Sequence, residues 1–394
     1  MEVIDAIRFN LDSTEDVERM LVHLKDFGSC VIASVANEKE IEAQKIHFWE
    51  YLERMDVGIS RSDCSTWDND RWMGNKSTGI IRQPDFCHSE FMWNARLLPK
   101  VKQAFSYVWN TQDLLVSFDA GNAFRPWKIN RSWLTEGNWW HVDQNSCKGA
   151  HRRGMVCIQG LVTFYDVTRE SGGLCVIPGS HIFHDEFCKR SPSSKLMHDY
   201  VYIPEDDPVM KVNSPVVIGA KAGDLVLWDS RLVHCNTPSP LATLPPSTGE
   251  ESKLIAGDWI ELPEETKDSD YELVGETVKS SSSSEKGQST ESAAKKAELI
   301  RLVSYVTMLP RSFASPAAIR SRKRGFLFHS PTSHWPTQVI EGLDRADSAD
   351  AAEVIDWRHC PAEKLQLIGY SNLEIQLRKG QLSEFCRELF RAMA

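Results

Sequence analysis

The segment Trp140-His141-Val142-Asp143 is the stretch of this sequence best placed to do chemistry. In a β-strand, residues two apart point to the same side. His141 and Asp143 can therefore offer an imidazole and a carboxylate to one ion. A second imidazole has to come from elsewhere in the chain. His234 is the best candidate, because it closely follows the strand-like run Gly223-Asp-Leu-Val-Leu-Trp-Asp229. Two histidines and one carboxylate on one face of an octahedron leave three positions open. That arrangement suits non-haem Fe(II) oxygenases, in which a bidentate oxoacid takes two positions and O2 the third. Neither motif is specific alone: H-x-D also arises by chance, and its bland reading is a hydrogen-bonded His–Asp pair at a strand edge.

The elements that must position these residues follow from the hydrophobic pattern. Residues 13–27 read as a helix capped by Ser13 or Thr14, with Val17, Met20, Leu21 and Leu24 on one face. Cys30 to Val35 reads as a strand. Residues 38–55 form a second helix with Asn37 and Glu40 as a capping box, and Ile41, Ile46, Trp49 and Leu52 as its buried stripe. From about residue 112 to 235 the texture changes to short strands rich in β-branched and aromatic residues, punctuated by Gly, Pro, Asp and Ser. They include Leu114 to Phe118, Met155 to Phe164, Gly173 to Ile177, Val216 to Ile218 and Leu225 to Trp228. Many short strands of this kind predict a sandwich or barrel, of which the jelly roll is one form. Strand texture resumes at Leu299 to Thr307, and the remainder reads as loops with helices at 362–370 and 381–392.

Residues 239–296 break the pattern, with Pro245-Pro246 and five serines at 280–284. Nine acids against three lysines between Glu261 and Ala294 give a local charge of −6 out of −10 for the chain. Such a composition cannot bury enough apolar surface to offset its chain entropy, so 262–295 is expected to be a disordered insertion within one domain spanning 1–394. That domain would comprise a helical N-terminal region over 1–110, a β core over 111–237 and 299–310, and C-terminal loops and helices over 311–394. Away from the insertion the charge is close to balanced, which gives no sign of a nucleic-acid partner. No apolar run is long enough to span a membrane. The ten cysteines form no C-x-x-C pair and read as reduced thiols. The first ten residues lack an apolar signal core, so the expected location is cytoplasmic. Nothing in the sequence defines the oligomeric state.

The chain resembles the phytanoyl-CoA dioxygenase (PhyH) family of 2-oxoglutarate oxygenases. The resemblance rests on Trp139-Trp-His-Val-Asp-Gln-Asn145, the strand from Met155 to Thr163, Ser171-Gly-Gly-Leu-Cys-Val-Ile-Pro-Gly-Ser-His181 and Gly223-Asp-Leu-Val-Leu-Trp-Asp-Ser-Arg-Leu-Val-His234. It covers 112–237 firmly and resumes at 299–310. It implies a mainly β double-stranded β-helix (jelly roll) with flanking helices, and a dioxygenase that uses Fe(II), 2-oxoglutarate and O2. Hydroxylation of a small organic metabolite, with release of succinate and CO2, is the expected reaction. His141, Asp143 and His234 become the iron ligands. Related halogenases carry Gly or Ala where Asp143 stands, so its presence implies oxygen transfer or desaturation.

Family members hold the distal carboxylate of 2-oxoglutarate with an Arg on the strand after the second His, since a guanidinium matches a carboxylate bidentately. Here the first cation after His234 is Lys253, and if 239–296 is an insertion the matching Arg is Arg301. Gln159 and Asn236 are expected near the same cosubstrate. The resemblance gives His181 a structural role in its turn, while His151, His184 and His198 read as surface residues. Trp139, Trp140 and Trp228 read as core packing. Substrate contacts are expected from Phe86 to Trp93 and Phe124 to Lys128, which precede the metal strand. The rival readings are a non-enzymatic jelly roll that binds a metal, a small molecule or a docking partner, and a zinc hydrolase on the same fold.

Overall fold

The computed structural model describes residues 2–196, 198–243, 297–340 and 359–379. The predicted insertion at 262–295 and the predicted helix at 381–392 lie outside the described residues. The helix starts follow the sequence signals. Ser13 caps α1 (Thr14–Phe27) by accepting from Asp16 N–H. Asn37 and Glu40 form the reciprocal capping box of α2 (Glu38–Arg54). The buried face of α2 is Gln44, Phe48, Trp49, Tyr51 and Leu52; Ile46, expected in that stripe, is 40% exposed. The apolar stripe is therefore carried by Phe48 and its neighbours, which pack against the aromatic residues around Phe86 and Phe91.

Two sheets form the centre. One has six strands in the order β1 (Glu2–Ile4), β11 (Val216–Ile218), β9 (Gly173–Val176), β13 (His234–Thr237), β7 (His141–Val142) and β10 (Val201–Tyr202). The other has seven, in the order β2 (Arg8–Phe9), β3 (Ser29–Ile32), β12 (Leu225–Asp229), β8 (Ile158–Thr163), β14 (Arg301–Tyr305), β6 (Gly121–Phe124) and β4 (Ile80–Ile81). A short pair joins β5 (Leu114–Val116) to β15 (Met308–Pro310). The two large sheets share a core of Val31, Leu161, Val226, Trp228 and Val303 from one and Leu174, Val176 and Ile218 from the other. This is the expected mainly β jelly roll, an open two-sheet sandwich. Strand β14 follows the 239–296 break in the sequence and returns to the middle of the larger sheet, between β8 and β6.

Helices α3 (Pro84–Cys87), α4 (Glu90–Arg96) and α5 (Pro99–Trp109) complete the N-terminal region. Helix α6 (His184–Arg190) packs beside the smaller sheet. At the end of α1, Gly28 adopts φ +80, and an added Cβ would lie 2.6 Å from the His181 ring. Its carbonyl accepts from Asp229 N–H at 2.8 Å, which ties the helix to the end of β12. His181 is buried and binds the Lys25 carbonyl at 2.9 Å, the structural role expected of it. His184, expected at the surface, is 3% exposed and binds the Gln144 carbonyl at 2.6 Å.

The C-terminal region contributes α7 (Pro316–Leu327), where the sequence pattern predicts loop, and α8 (Ala362–Ile368), close to its predicted 362–370. Arg322 on α7 is wholly buried and donates to the carbonyls of Ile368, Pro336, Val116 and Leu367 at 2.6–3.1 Å. One guanidinium thus ties α7 and α8 to the β5 strand. Replacing it leaves several buried carbonyls unsatisfied, each costing about 1–3 kcal/mol. Arg322→Met is expected to lower the melting temperature by several degrees. The exposed neighbour Arg320→Met should leave it unchanged; calorimetry on both variants checks this.

Candidate active site

Strand β7 is only two residues long, and both of its neighbours act on the site. It pairs with β10 through Val201↔Val142 and Tyr202↔His141, and with β13 through His234↔His141. His141 and His234 are thus direct cross-strand neighbours, with ring centroids 4.3 Å apart. Asp143 follows two residues after His141 and points to the same side. Its Oδ1 lies 3.7 Å from His141 Nε2 and its Oδ2 3.2 Å from His234 Nε2. One ligand atom from each of the three residues lies within 4.8 Å of the others. Both histidines are 4% exposed.

The hydrogen bonds around this cluster set its chemistry. His141 Nδ1 lies 3.0 Å from the Trp139 carbonyl, and His234 Nδ1 lies 2.8 Å from the Leu232 carbonyl. A carbonyl only accepts, so each Nδ1 carries the proton. In its neutral form each ring then turns an Nε2 lone pair toward the Asp143 carboxylate. Three electron-rich donors facing one another in a buried site call for a cation between them. The donor set fits a divalent metal of the Fe(II) type, with each imidazole tautomer set by its outer hydrogen bond.

Asp143 is fixed from three directions. Its Oδ2 accepts from Gln159 Nε2 at 2.9 Å, its N–H donates to the Ser230 carbonyl at 2.9 Å, and its carbonyl meets His334 Nε2 at 3.1 Å. Burial alone would push the Asp143 carboxyl up. The imidazoles of His334, His141 and His234 around it outweigh that and hold it well below the usual carboxylate range. Burial pushes His234 down from its ordinary value, as a neutral ligand requires.

A cavity of about 280 Å³ opens onto the three residues. Gln159, Asn236, Tyr305, Trp228 and Leu174 line one side of it. Asn236 Nδ2 donates to Tyr305 Oη at 2.8 Å. Arg301 sits behind this pair and is 2% exposed. It reaches Asn122 Oδ1 at 3.2 Å, Asn236 Oδ1 at 3.4 Å and the Tyr305 hydroxyl. Among the described residues no carboxylate pairs with it. A Cβ on Gly173 would come within 3.1 Å of its Nη1, so the glycine makes room for the guanidinium. A buried cation without a counter-charge is costly unless an anion completes it. The carboxylate of an oxoacid would do so.

The structure brings all six predicted residues into this region. Gln159 touches Asp143 directly, a contact the sequence did not indicate. Tyr305, Tyr200 and His334 were missed. Tyr200 stacks on His141 at 4.5 Å, and Trp139, read as core, stacks on the same ring at 5.0 Å. Trp140 is indeed core, while Trp228 both packs in the core and lines the cavity. Substrate contacts were expected from 86–93 and 124–128. Phe86, Phe91 and Trp93 instead pack in the core, and Ile80, Arg82, Asp119 and Ala120 supply the wall. No signal in the local sequence marks Tyr200 or His334, which come from loops.

A two-sheet jelly roll carrying such a donor set, with a lone buried guanidinium beside it, defines a mononuclear non-haem oxygenase dependent on Fe(II) and 2-oxoglutarate. The profile described as phytanoyl-CoA dioxygenase (PhyH) matches residues 24–238, more than half of the 394-residue chain. The chain belongs to this family. It is 24% identical over 311 residues to the Ava biosynthesis cluster protein O of Aspergillus versicolor, covering 75% of this chain and 80% of that one. It is 25% identical over 241 residues to a putative phytanoyl-CoA dioxygenase of Dictyostelium discoideum, covering 53% and 67%. Similar solved structures include the epimerase SnoN in complex with Fe3+, alpha ketoglutarate and nogalamycin RO, with 12% identity, a TM-score of 0.41, and 75% and 84% of the two chains covered. Another is EctD from S. alaskensis with 2-oxoglutarate and 5-hydroxyectoine, with 15% identity, a TM-score of 0.38, and 56% and 70% covered. Among the described residues no helix is long and apolar enough to cross a membrane.

The Gln159–Asp143 contact generates a prediction. Partners that orient a metal ligand are commonly worth about 10–100-fold in metal affinity. Gln159→Leu is expected to weaken Fe(II) binding by roughly that factor, measured anaerobically by titration, while the unfolding transition stays cooperative. Parent-like Fe(II) affinity in this variant would show that Asp143 is oriented without Gln159.

Proposed function

We propose that this protein hydroxylates a C–H bond of a small organic molecule, with His141, Asp143 and His234 holding Fe(II) and Arg301 holding the distal carboxylate of 2-oxoglutarate. The observation that carries this reading is the convergence of the two Nε2 atoms on the Asp143 carboxylate, with each Nδ1 bonded to a carbonyl. The bound metal and cosubstrate supply the oxidising power: 2-oxoglutarate, O2 and a substrate C–H become succinate, CO2 and a C–OH.

The chain's own residues do the rest. The Trp139 and Leu232 carbonyls keep both imidazoles in the ligating tautomer. Gln159 and Ser230 hold the Asp143 side chain and backbone. Asn236 places its carbonyl oxygen toward Arg301 and its amide toward Tyr305, so the guanidinium and the phenol are oriented by one side chain. Trp139 and Tyr200 both stack on the His141 ring and hold its plane. The 1–394 single-domain organisation and the role of 262–295 as an insertion belong to the same proposal, supported by the return of β14 to the centre of the larger sheet. A passive binding or docking protein would not require a counter-charge-free arginine beside a three-donor cluster.

Truncating one partner of a buried charge-assisted pair costs about 2–5 kcal/mol. Arg301→Ala is therefore expected to raise the apparent 2-oxoglutarate constant by roughly 30-fold or more, with Fe(II) content unchanged. Arg301→Lys should be tolerated only in some measure, because an ammonium lacks the planar fork. Succinate release at varied 2-oxoglutarate reads the effect. A parent-like titration in Arg301→Ala would place the anchor on another residue.

A further inference from the structure

One stretch of the cavity wall is left unused by the metal and the oxoacid. Ile80, Arg82, Asp119 and Ala120 line it from one edge of the seven-stranded sheet. Strand β4 pairs with β6 there through Ile80↔Asn122 and Ile81↔Gly121, and Asp119-Ala120 leads directly into β6. Asp119 is partly buried, and it lines the same cavity as His141, Asp143 and His234.

The backbone holds Asp119 firmly. Phe118 N–H donates to Thr332 Oγ1 at 2.8 Å, and Thr332 N–H returns a bond to the Phe118 carbonyl at 3.1 Å. The Asp119 carbonyl accepts from Arg96 Nη2 at 2.9 Å, and the Ala120 carbonyl accepts from Tyr305 N–H at 3.1 Å. The carboxylate itself is barely used. Its Oδ1 accepts only the neighbouring Ala120 N–H, at 2.7 Å. Arg96 gives its two terminal nitrogens to the carbonyls of Cys87 and Asp119, so its charge acts on the Asp119 carboxylate from nearby without bonding it. Among the described residues, no lysine, arginine or histidine forms an ion pair with the Asp119 carboxylate. Arg82 shares the wall and is exposed, so its charge is screened by solvent.

Asp119 lines a cavity also walled by Trp139, Tyr200 and Trp228, and its second carboxylate oxygen has no hydrogen-bond partner among the described residues, a combination complementary to an organic cation whose charge the carboxylate takes and whose body the aromatic faces take. An anion, or a neutral molecule without a donor, in the same place would leave the carboxylate desolvated and unpaired, and a neutral donor would give it a weaker bond than an ammonium; such a mismatch is a strong basis for discrimination. Deepening the hydroxylase reading above and resting on it, we propose that Asp119 is a specificity-determining residue that binds the ammonium group of an amine substrate.

The test is substrate-stimulated succinate release by the Fe(II)-loaded full chain across a library of small amines, carboxylates and neutral metabolites, each active amine being repeated as its N-acetyl derivative. Stimulation is expected from amines and lost on acetylation. Asp119→Asn is expected to raise the concentration of amine giving half-maximal stimulation by roughly 10–100-fold, the range for a hydrogen bond to a charged group. Asp119→Glu should keep the preference for amines. Melting curves and 2-oxoglutarate binding, recorded on each variant, identify a fold defect, and the wild-type comparison of amines with their acetyl forms decides the question if a variant fails to fold. Stimulation confined to carboxylates or neutral compounds, no response to any amine, or an unchanged amine response in a folded Asp119→Asn overturns the proposal. If the wild type fails to bind Fe(II) with 2-oxoglutarate and releases no succinate at all, the fault lies with the oxygenase reading and not with Asp119.

Discussion

The structure turns on a single cross-strand pair. His141 and His234 face each other across the β7–β13 ladder, and this register is the one contact that makes them neighbours. A shift of one residue would turn either imidazole to the opposite face of the sheet. Strand β7 is too short to hold that register by itself. It is fixed by β10 on one side, by β13 on the other, and by the bond from Asp143 N–H to the Ser230 carbonyl just beyond it. Strand β13 is in turn paired along all four of its residues with β9, whose side chains reach into the core shared by both sheets.

From that pair the remaining elements follow in layers. The larger sheet faces the site with Gln159 on β8 and Trp228 on β12, which lie opposite each other in the ladder. Gln159 reaches Asp143, and Trp228 packs near His234 with ring centroids 5.7 Å apart. Strand β14 enters beside β8 and brings Arg301 and Tyr305, four residues apart and so on the same side, toward Asn236 of the smaller sheet. The donor cluster and the guanidinium thus belong to a scaffold of paired strands. The remaining cavity wall comes from loops and from the short edge strand β4. This division suits an enzyme whose oxidising centre stays constant while the substrate pocket varies.

The portion of the site that was legible in the sequence was the portion encoded by local spacing. His141 and Asp143 sit two apart on an extended segment, so their common face follows from strand geometry. The pairing of His234 with them depends on β13 folding back onto β7; its place just after the strand-like run Gly223 to Asp229 made it the best candidate, and the resemblance to a family supported it. Arg301 could be read because the composition of 239–296 isolates it, making the strand that follows the natural continuation of the core. Tyr200, His334 and Asp119 carried no comparable signal. They lie in irregular segments far apart in the chain, and only tertiary packing brings them to one cavity. Ile46 and His184 failed for a related reason: a single side chain's burial is decided by what packs over it, so an apolar residue was left in solvent and an imidazole was enclosed.

The most direct test of the metal and oxoacid assignment is a crystal structure of the full chain grown without O2 in the presence of Fe(II) and 2-oxoglutarate, with anomalous data collected at the iron edge. The expected result is one anomalous peak per chain, coordinated by Nε2 of His141, Nε2 of His234 and a carboxylate oxygen of Asp143, and the distal carboxylate of the oxoacid on Arg301. Iron at a different set of side chains, or an oxoacid whose distal carboxylate is held by another cation, would contradict it.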